Sequence, residues 1–110
     1  GECFTTGDGR LVVTPRNGQW AYAYWDISRL QRSQVDRQPG SNLVLRLYDV
    51  TNAEIMPDDY QQFDVDDLAL SCDVPIPMSN RSYVAEVGYV DVNNHWTRLA
   101  RSSEVWVPAT

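Results

Sequence analysis

The chain contains no lysine. All nine of its cationic side chains are arginines, which stand against fifteen acidic residues and leave a net charge of −6. The arginines are scattered and form no basic run, so a nucleic acid backbone would be repelled at long range, and we expect no nucleic acid partner. Arginine pairs with carboxylates and stacks on aromatic rings better than lysine, so this composition favours a contact surface. A nucleotide bias of the genome explains the same composition, and we prefer that explanation.

Histidine, cysteine and long apolar segments are also scarce. The single histidine, His95, lies in a turn-forming sequence and is expected to be an exposed hairpin residue, not a catalytic base. Cys3 and Cys72 have no metal-ligand spacing; a disulfide between them and two reduced thiols both fit, and we expect reduced thiols. The longest apolar run is the six residues 20–25, far too short to cross a membrane. We expect no metal, no cofactor and no membrane insertion by this domain.

A chain of 110 residues is long enough for one domain that buries a core without disulfides or metals. Because the first residue is Gly1 and not methionine, we expect residues 1–110 to be a single domain excised from a longer protein.

Turn-forming residues divide the sequence at short intervals, with β-rich segments between them. These segments predict eight strands, at residues 11–14, 20–26, 43–49, 60–64, 68–72, 83–90, 96–101 and 104–107. Residues 27–38 predict one short α-helix, since Asp26 or Ser28 can cap it and Pro39 and Gly40 end it. The predicted fold class is all-β: an immunoglobulin-like or fibronectin-type sandwich of seven or eight short strands with that helix inserted.

The second predicted strand is the most aromatic part of the chain. Alternation divides it into two faces, with Trp20, Tyr22 and Tyr24 on one and Ala21, Ala23 and Trp25 on the other. We expect Trp25 and one of the two sets to fill the core. The alternative exposes the Trp20, Tyr22 and Tyr24 face, together with Tyr48 and Trp96, as a platform on which sugar rings or the side chains of a partner stack.

Alternation also assigns the faces of the third, sixth and seventh predicted strands. The expected buried residues are Leu43, Leu45, Leu47, Tyr83, Ala85, Val87, Tyr89 and Leu99. The expected outward residues are Val44, Arg46, Tyr48, Glu86, Trp96, Arg98 and Ala100. If the strands share a sheet, one mixed aromatic and charged patch forms on its outer face, and this is our first candidate for binding a protein or a glycan: Arg46, Tyr48, Glu86, Trp96 and Arg98.

The acidic stretch 58–67 holds the remaining candidates for chemistry. Its carboxylates at Asp58, Asp59, Asp64, Asp66 and Asp67 leave a hydrolase or a calcium site open. Their spacing matches no calcium-binding loop, and adjacent aspartates in a loop usually form a solvated edge. We therefore expect no catalytic residues and no enzyme.

Several sequence blocks match one family in order and spacing across almost the whole chain. They lie at residues 11–16, 19–27, 45–51, 75–77, 83–89 and 99–103, and include the motifs WAYAYWDI, LRLYDVT, YVAEVGY and LARSS. On these blocks the chain resembles a family of uncharacterised bacterial domains that is frequent in cyanobacteria and has relatives in plastids. The resemblance implies a cyanobacterium-like source and a module appended to longer proteins. It carries no catalytic residues to transfer.

These observations together predict a non-catalytic module that binds or scaffolds another protein in a bacterial cytoplasm. The alternative is a carbohydrate-binding domain, because exposed aromatics beside carboxylates and arginines suit a glycan surface. A hydrolase that uses Asp64, Asp66 and Asp67 ranks third.

Overall fold

The computed structural model describes residues 9–26 and 40–109, and every regular element in those ranges is a strand. The strands are β1 (Gly9–Pro15), β2 (Trp20–Asp26), β3 (Asn42–Asp49), β4 (Gln61–Asp64), β5 (Ser71–Pro75), β6 (Arg81–Val90), β7 (Trp96–Arg101) and β8 (Val105–Val107). The all-β prediction is confirmed for the described residues. The predicted helix at 27–38 lies outside the described residues.

The strands hydrogen-bond in the order β4-β3-β6-β7-β1-β2-β5, and β8 pairs with β6. All pairs are antiparallel except a short parallel contact, in which Gly9 and Arg10 of β1 lie beside Ala100 and Arg101 of β7. This contact joins two halves, β1-β2-β5 and β4-β3-β6-β7-β8. Each half therefore keeps one face for the core and one face on the outside of the molecule.

Both halves contribute side chains to one hydrophobic core. The first half supplies Leu11, Val13, Ala21, Ala23, Trp25 and Val74, and the second supplies Leu43, Leu45, Leu47, Tyr83, Ala85, Val87, Tyr89, Leu99 and Val107. The predicted buried faces of the third and sixth strands are confirmed. Each fully buried leucine or valine contributes about 1.5–3 kcal/mol relative to leaving it in water, so this shared core holds the two halves together.

The fifth strand begins later than its composition predicts. The sequence places Leu68 and Leu70 in this strand, yet both are exposed and the strand starts at Ser71. The side-chain carboxylate of Asp66 accepts the N–H of Leu68 at 2.9 Å, and the backbone carbonyl oxygen of Asp66 accepts the N–H of Ala69. These local bonds favour a turn over an extended strand, and the predicted boundary at 68 is therefore wrong.

A β-bulge interrupts the pairing of β6 with β7. Val87 lies opposite Ala100 and Gly88 lies opposite Arg98, which leaves Leu99 as the extra residue. Leu99 and Ala100 consequently both face the core, and the prediction that Ala100 points outward is wrong. Arg101, opposite Glu86, is shifted onto the outer face of the sheet.

The β6–β7 hairpin is closed by an aspartate. Asp91 Oδ1 accepts the N–H groups of Asn93 and His95 at 2.9 and 2.8 Å. Asn94 takes a positive φ of 64°, a conformation that asparagine tolerates better than most residues. The His95 side chain is exposed and lies 3.7 Å from Asp91, so its prediction as an exposed hairpin residue is confirmed.

Candidate functional site

The loop 51–60 covers part of the outer face of β3 and β6. Tyr48, Val50 and Val84 form a small second core there, and Met56 packs against it. Arg46 and Tyr48 are each 7% exposed and Glu86 is 4% exposed. The expectation that these three residues face solvent is therefore wrong: alternation assigns them to the correct face of the sheet, but that face is covered.

Glu86 is the centre of a polar network on this face. Its Oε1 accepts the hydroxyl of Tyr48 at 3.1 Å, while its Oε2 accepts Arg101 Nε at 2.9 Å and Arg98 Nη1 at 3.3 Å. A buried carboxylate is tolerated only when charged and hydrogen-bonding partners replace water, and the two arginines supply them. Burial, followed by the negative charge of Glu86, raises the pKa of Tyr48.

Arg46 lies between two aromatic rings. Its guanidinium is 4.2 Å from the ring centroid of Tyr60 and 4.0 Å from that of Trp96, and its Nε donates to Gln62 Oε1 at 3.0 Å. A guanidinium over an aromatic face is attracted by the negative π surface. The contacts hold the indole of Trp96, the first residue of β7, against the outer face of the sheet.

A groove of about 520 Å³ opens beside this network. Its lining residues are Tyr48, Met56, Pro57, Asp58, Glu86, Trp96, Arg98 and Arg101. Of the five predicted patch residues, Trp96 and Arg98 reach solvent, and the other three lie beneath or beside them as support. Sequence reasoning missed Arg101 because the bulge moves it to this face. Gly88 was the available signal, since a glycine inside a strand often marks a bulge.

The other aromatic surface lies on the outer face of the β1-β2-β5 half. Trp20 is 46% exposed, Tyr24 is 41% exposed and Tyr22 is half-buried; we call these three residues the β2 aromatic row. The opposite set is Ala21, Ala23 and Trp25, all buried in the core. The expectation that Trp25 and one alternating set fill the core is confirmed.

A pair of opposite charges flanks the β2 aromatic row. Arg16 lies 5.1 Å from the ring centroid of Tyr22 and 3.9 Å from Asp73, which is opposite Tyr22 on β5. The rings of Tyr22 and Tyr24 are 6.0 Å apart and inclined at 34°, so they do not form one plane. Tyr48 and Trp96 belong to the other half and contact Tyr60 and Arg46 there, so they are not part of this row.

The acidic stretch serves structural roles in the described residues. Asp66 shapes the turn before β5, and Asp67 Oδ1 accepts the hydroxyl of Tyr89 at 3.3 Å. Within residues 9–26 and 40–109, no group of three His, Cys, Asp or Glu side chains is arranged to hold a metal ion. The same ranges contain no helix with the length and hydropathy needed to cross a bilayer.

Cys72 is a free, partly buried thiol, and Cys3 lies outside the described residues. Burial, reinforced by the charge of Asp73, raises the pKa of Cys72 to about 11. Only a very small fraction is therefore thiolate at neutral pH, which makes Cys72 a poor nucleophile.

The eight strands and their pairing form a β-sandwich, and its fold is similar to that of fibronectin type III domains. The FN5 domain of Drosophila Lar is similar, with a TM-score of 0.62 and 17% identity over 96% of this chain and 100% of that domain. The fn3 domain of the human collagen alpha-1(XX) chain has a TM-score of 0.61 and 13% identity over 100% of this chain and 88% of that one. The third fibronectin III domain of human KIAA0343 protein has a TM-score of 0.60 and 12% identity over 100% of this chain and 93% of that one. At these identities the similarity concerns the fold alone.

The chain belongs to the family described as domain of unknown function DUF4912, whose model matches residues 7–110. The predicted membership of a family of uncharacterised domains is confirmed, and its cyanobacterial distribution stays a prediction. A search of curated proteins returned no match.

Proposed function

We propose that this domain is a non-catalytic module that binds another protein through the β2 aromatic row. The observation that carries the proposal is the exposure of Trp20 and Tyr24 on the central strand of the β1-β2-β5 half. Tryptophan, tyrosine and arginine are the residues most enriched in interface hot spots, and Arg16 adjoins the row. Domains of the fibronectin type III class are often used for binding or scaffolding, which supports this class of function.

The chemistry of the row suits a protein surface. The Arg16–Asp73 pair offers both signs of charge beside the aromatic rings, so polar groups of a partner can be matched at the rim.

The proposed location is a bacterial cytoplasm, and the free thiol of Cys72 fits a reducing compartment.

A carbohydrate is the second candidate ligand for the same surface. Exposed rings supply stacking faces for sugars, and Arg16 and Asp73 supply hydrogen-bonding groups. The 34° inclination between Tyr22 and Tyr24 favours the protein, because a flat sugar chain stacks best on coplanar rings.

The first test is affinity capture from a lysate of the source cell. The intact domain is compared with a Trp20→Ala, Tyr24→Ala double variant and with Trp106→Ala, a control that removes an equally exposed tryptophan from β8. We expect one specific protein to be retained by the intact domain and the control and lost from the double variant. Circular dichroism and thermal unfolding establish that all three are folded. Retention by the double variant would contradict the proposed surface.

The second test separates protein from carbohydrate. Soluble glucans are titrated into the domain while tryptophan emission is recorded. A saturable change in the intact domain and in Trp106→Ala, absent from Trp20→Ala, would assign the row to a glycan and contradict protein binding. We expect no saturable change.

A further inference from the structure

We propose that the groove beside Trp96 binds a carboxylate from an acidic segment of a partner protein, held by Arg98 and Arg101. The groove lies on the outer face of β3, β6 and β7, in the other half of the sandwich from the β2 aromatic row. This second site therefore does not depend on the function proposed for that row.

Arg98 and Arg101 keep hydrogen-bond donors for a ligand. Both donate to one oxygen of Glu86, through Nη1 and Nε respectively. A guanidinium has five N–H donors, so one bond to Glu86 leaves most of them unused by that carboxylate. Of the described residues, only Glu86 forms an ion pair with either arginine. Their side chains are 36% and 46% exposed, and both line the groove.

The charge of the site fits one carboxylate. Arg98 and Arg101 line the groove together with Glu86 and Asp58, and these four charges cancel. Arg46, which stacks on Trp96 but does not line the groove, adds one positive charge to this region of a chain whose net charge is −6. A single carboxylate neutralises this excess and accepts charge-assisted hydrogen bonds from the guanidinium groups. A phosphate dianion would bring surplus negative charge close to Glu86 and Asp58, so the site favours the monoanion.

The donors are fixed in place before a ligand arrives. Glu86 is held by Tyr48 and in turn holds both arginines, while Arg46 fixes the indole of Trp96 at the edge of the groove. Ordered side chains lose little conformational entropy on binding. At about 520 Å³ the groove is larger than one carboxylate, so we assign the remaining space to neighbouring residues of a peptide.

The test uses a synthetic peptide of alternating glutamate and serine, with a glutamine and serine peptide of equal length as the matched control. Binding is followed in the intact domain by the NMR signals of the Trp96 indole N–H and the Arg101 Nε–H. We expect saturable shifts with the glutamate peptide and none with the glutamine peptide. Arg98→Gln should raise the Kd at least about tenfold, whereas Arg16→Gln, on the other half, should leave it unchanged.

Other results would overturn the proposal. One is the absence of a saturable shift with the glutamate peptide, and another is equal binding of the glutamine peptide. A third is an unchanged Kd for the glutamate peptide in both Arg98→Gln and Trp96→Leu, a second variant that leaves Glu86 paired with its arginines. Displacement of the peptide by inorganic phosphate at lower concentrations than acetate would overturn the choice of carboxylate.

Two controls separate peptide binding in this groove from self-association and from binding at the β2 aromatic row. If the same signals move on concentrating the domain without peptide, and Arg98→Gln abolishes the effect, the occupant is a second copy of the chain and the assignment to a foreign partner is wrong. The Trp20→Ala, Tyr24→Ala variant should bind the glutamate peptide with wild-type affinity. Loss of binding in that variant would contradict two independent sites.

Discussion

Gly88 lies directly against the indole of Trp96. A Cβ atom at residue 88 would be 2.9 Å from Trp96 Cη2 and 2.2 Å from the carbonyl oxygen of Thr97. The missing side chain therefore lets the indole cross β6 from its position opposite Val90 and meet Arg46 on β3. One glycine thus permits both the close strand approach at the bulge and the arginine–aromatic contact.

Replacing Gly88 with alanine should destabilise the domain by about 1–3 kcal/mol, because the added methyl group would overlap backbone atoms of Thr97 and Arg98 in the paired strand. Urea unfolding measures the loss. The Trp96 indole N–H signal should shift as the ring is displaced. Thr97→Ala, at an exposed neighbouring position, is the control and should change the stability by less than about 0.5 kcal/mol. A stable Gly88→Ala with an unmoved Trp96 signal would contradict the close approach.

Replacing Glu86 with glutamine should cost about 1–3 kcal/mol of unfolding free energy, below the range for a fully buried ion pair, because Arg98 and Arg101 are partly exposed and water can solvate the charges they keep. The amide cannot neutralise Arg98 and Arg101, and its NH2 group cannot accept a hydrogen bond. Glu104→Gln is the matched control, since Glu104 is exposed and should give less than about 0.5 kcal/mol. Chemical denaturation measures the unfolding free energies of the two variants. Equal values would show that the Glu86 network contributes little to stability.

The free energy of unfolding should fall as the pH rises from about 9 to 11. Burial raises the pKa of Cys72 from 9.0 to about 11, and burial also raises the pKa values of Tyr48 and Tyr83 above 10.0. The unfolded chain loses these protons at lower pH than the folded chain, so stability is fully present below pH 9 and is lost as pH increases. Cys72→Ala should flatten the first part of this decline. An identical pH profile in that variant would contradict the raised thiol pKa.

Tryptophan quenching should report the orientation of β2. Trp20 is 46% exposed and Trp25 is 3% exposed, although they lie on the same strand. In variants that retain one of these tryptophans and carry phenylalanine at the others, acrylamide should quench Trp20 several-fold more efficiently than Trp25. Comparable quenching would indicate that the strand has the opposite face in the core, as a one-residue change in register would produce.

Local sequence pattern predicted the strands and faces that depend on alternation alone. Leu43, Leu45 and Leu47 face the core because successive side chains of a strand point to opposite sides, whatever surrounds the strand. The same rule placed Arg46 and Glu86 on one shared outer face, where they lie opposite each other.

The wrong predictions concern residues whose burial depends on distant parts of the chain or on a local side-chain hydrogen bond. Ala100 faces the core because Leu99, the extra residue of the bulge, reverses the alternation of the side chains that follow it in β7. Tyr48 is buried because the loop before β4 folds over it, and no periodic pattern marks where a loop will lie. Leu68 is exposed because the Asp66 side chain closes a turn there.

Residue type and local periodicity account for the β-sandwich class, for the alternating faces of its central strands and for a set of cations made only of arginine. Which of the two aromatic surfaces reaches water depends instead on how distant parts of the chain pack against them. The β2 aromatic row stays exposed, whereas Arg46, Tyr48 and Glu86 are covered and become the support of the groove at Trp96. Alternation assigns a side chain to a face of the sheet, while burial depends on what else packs against that face.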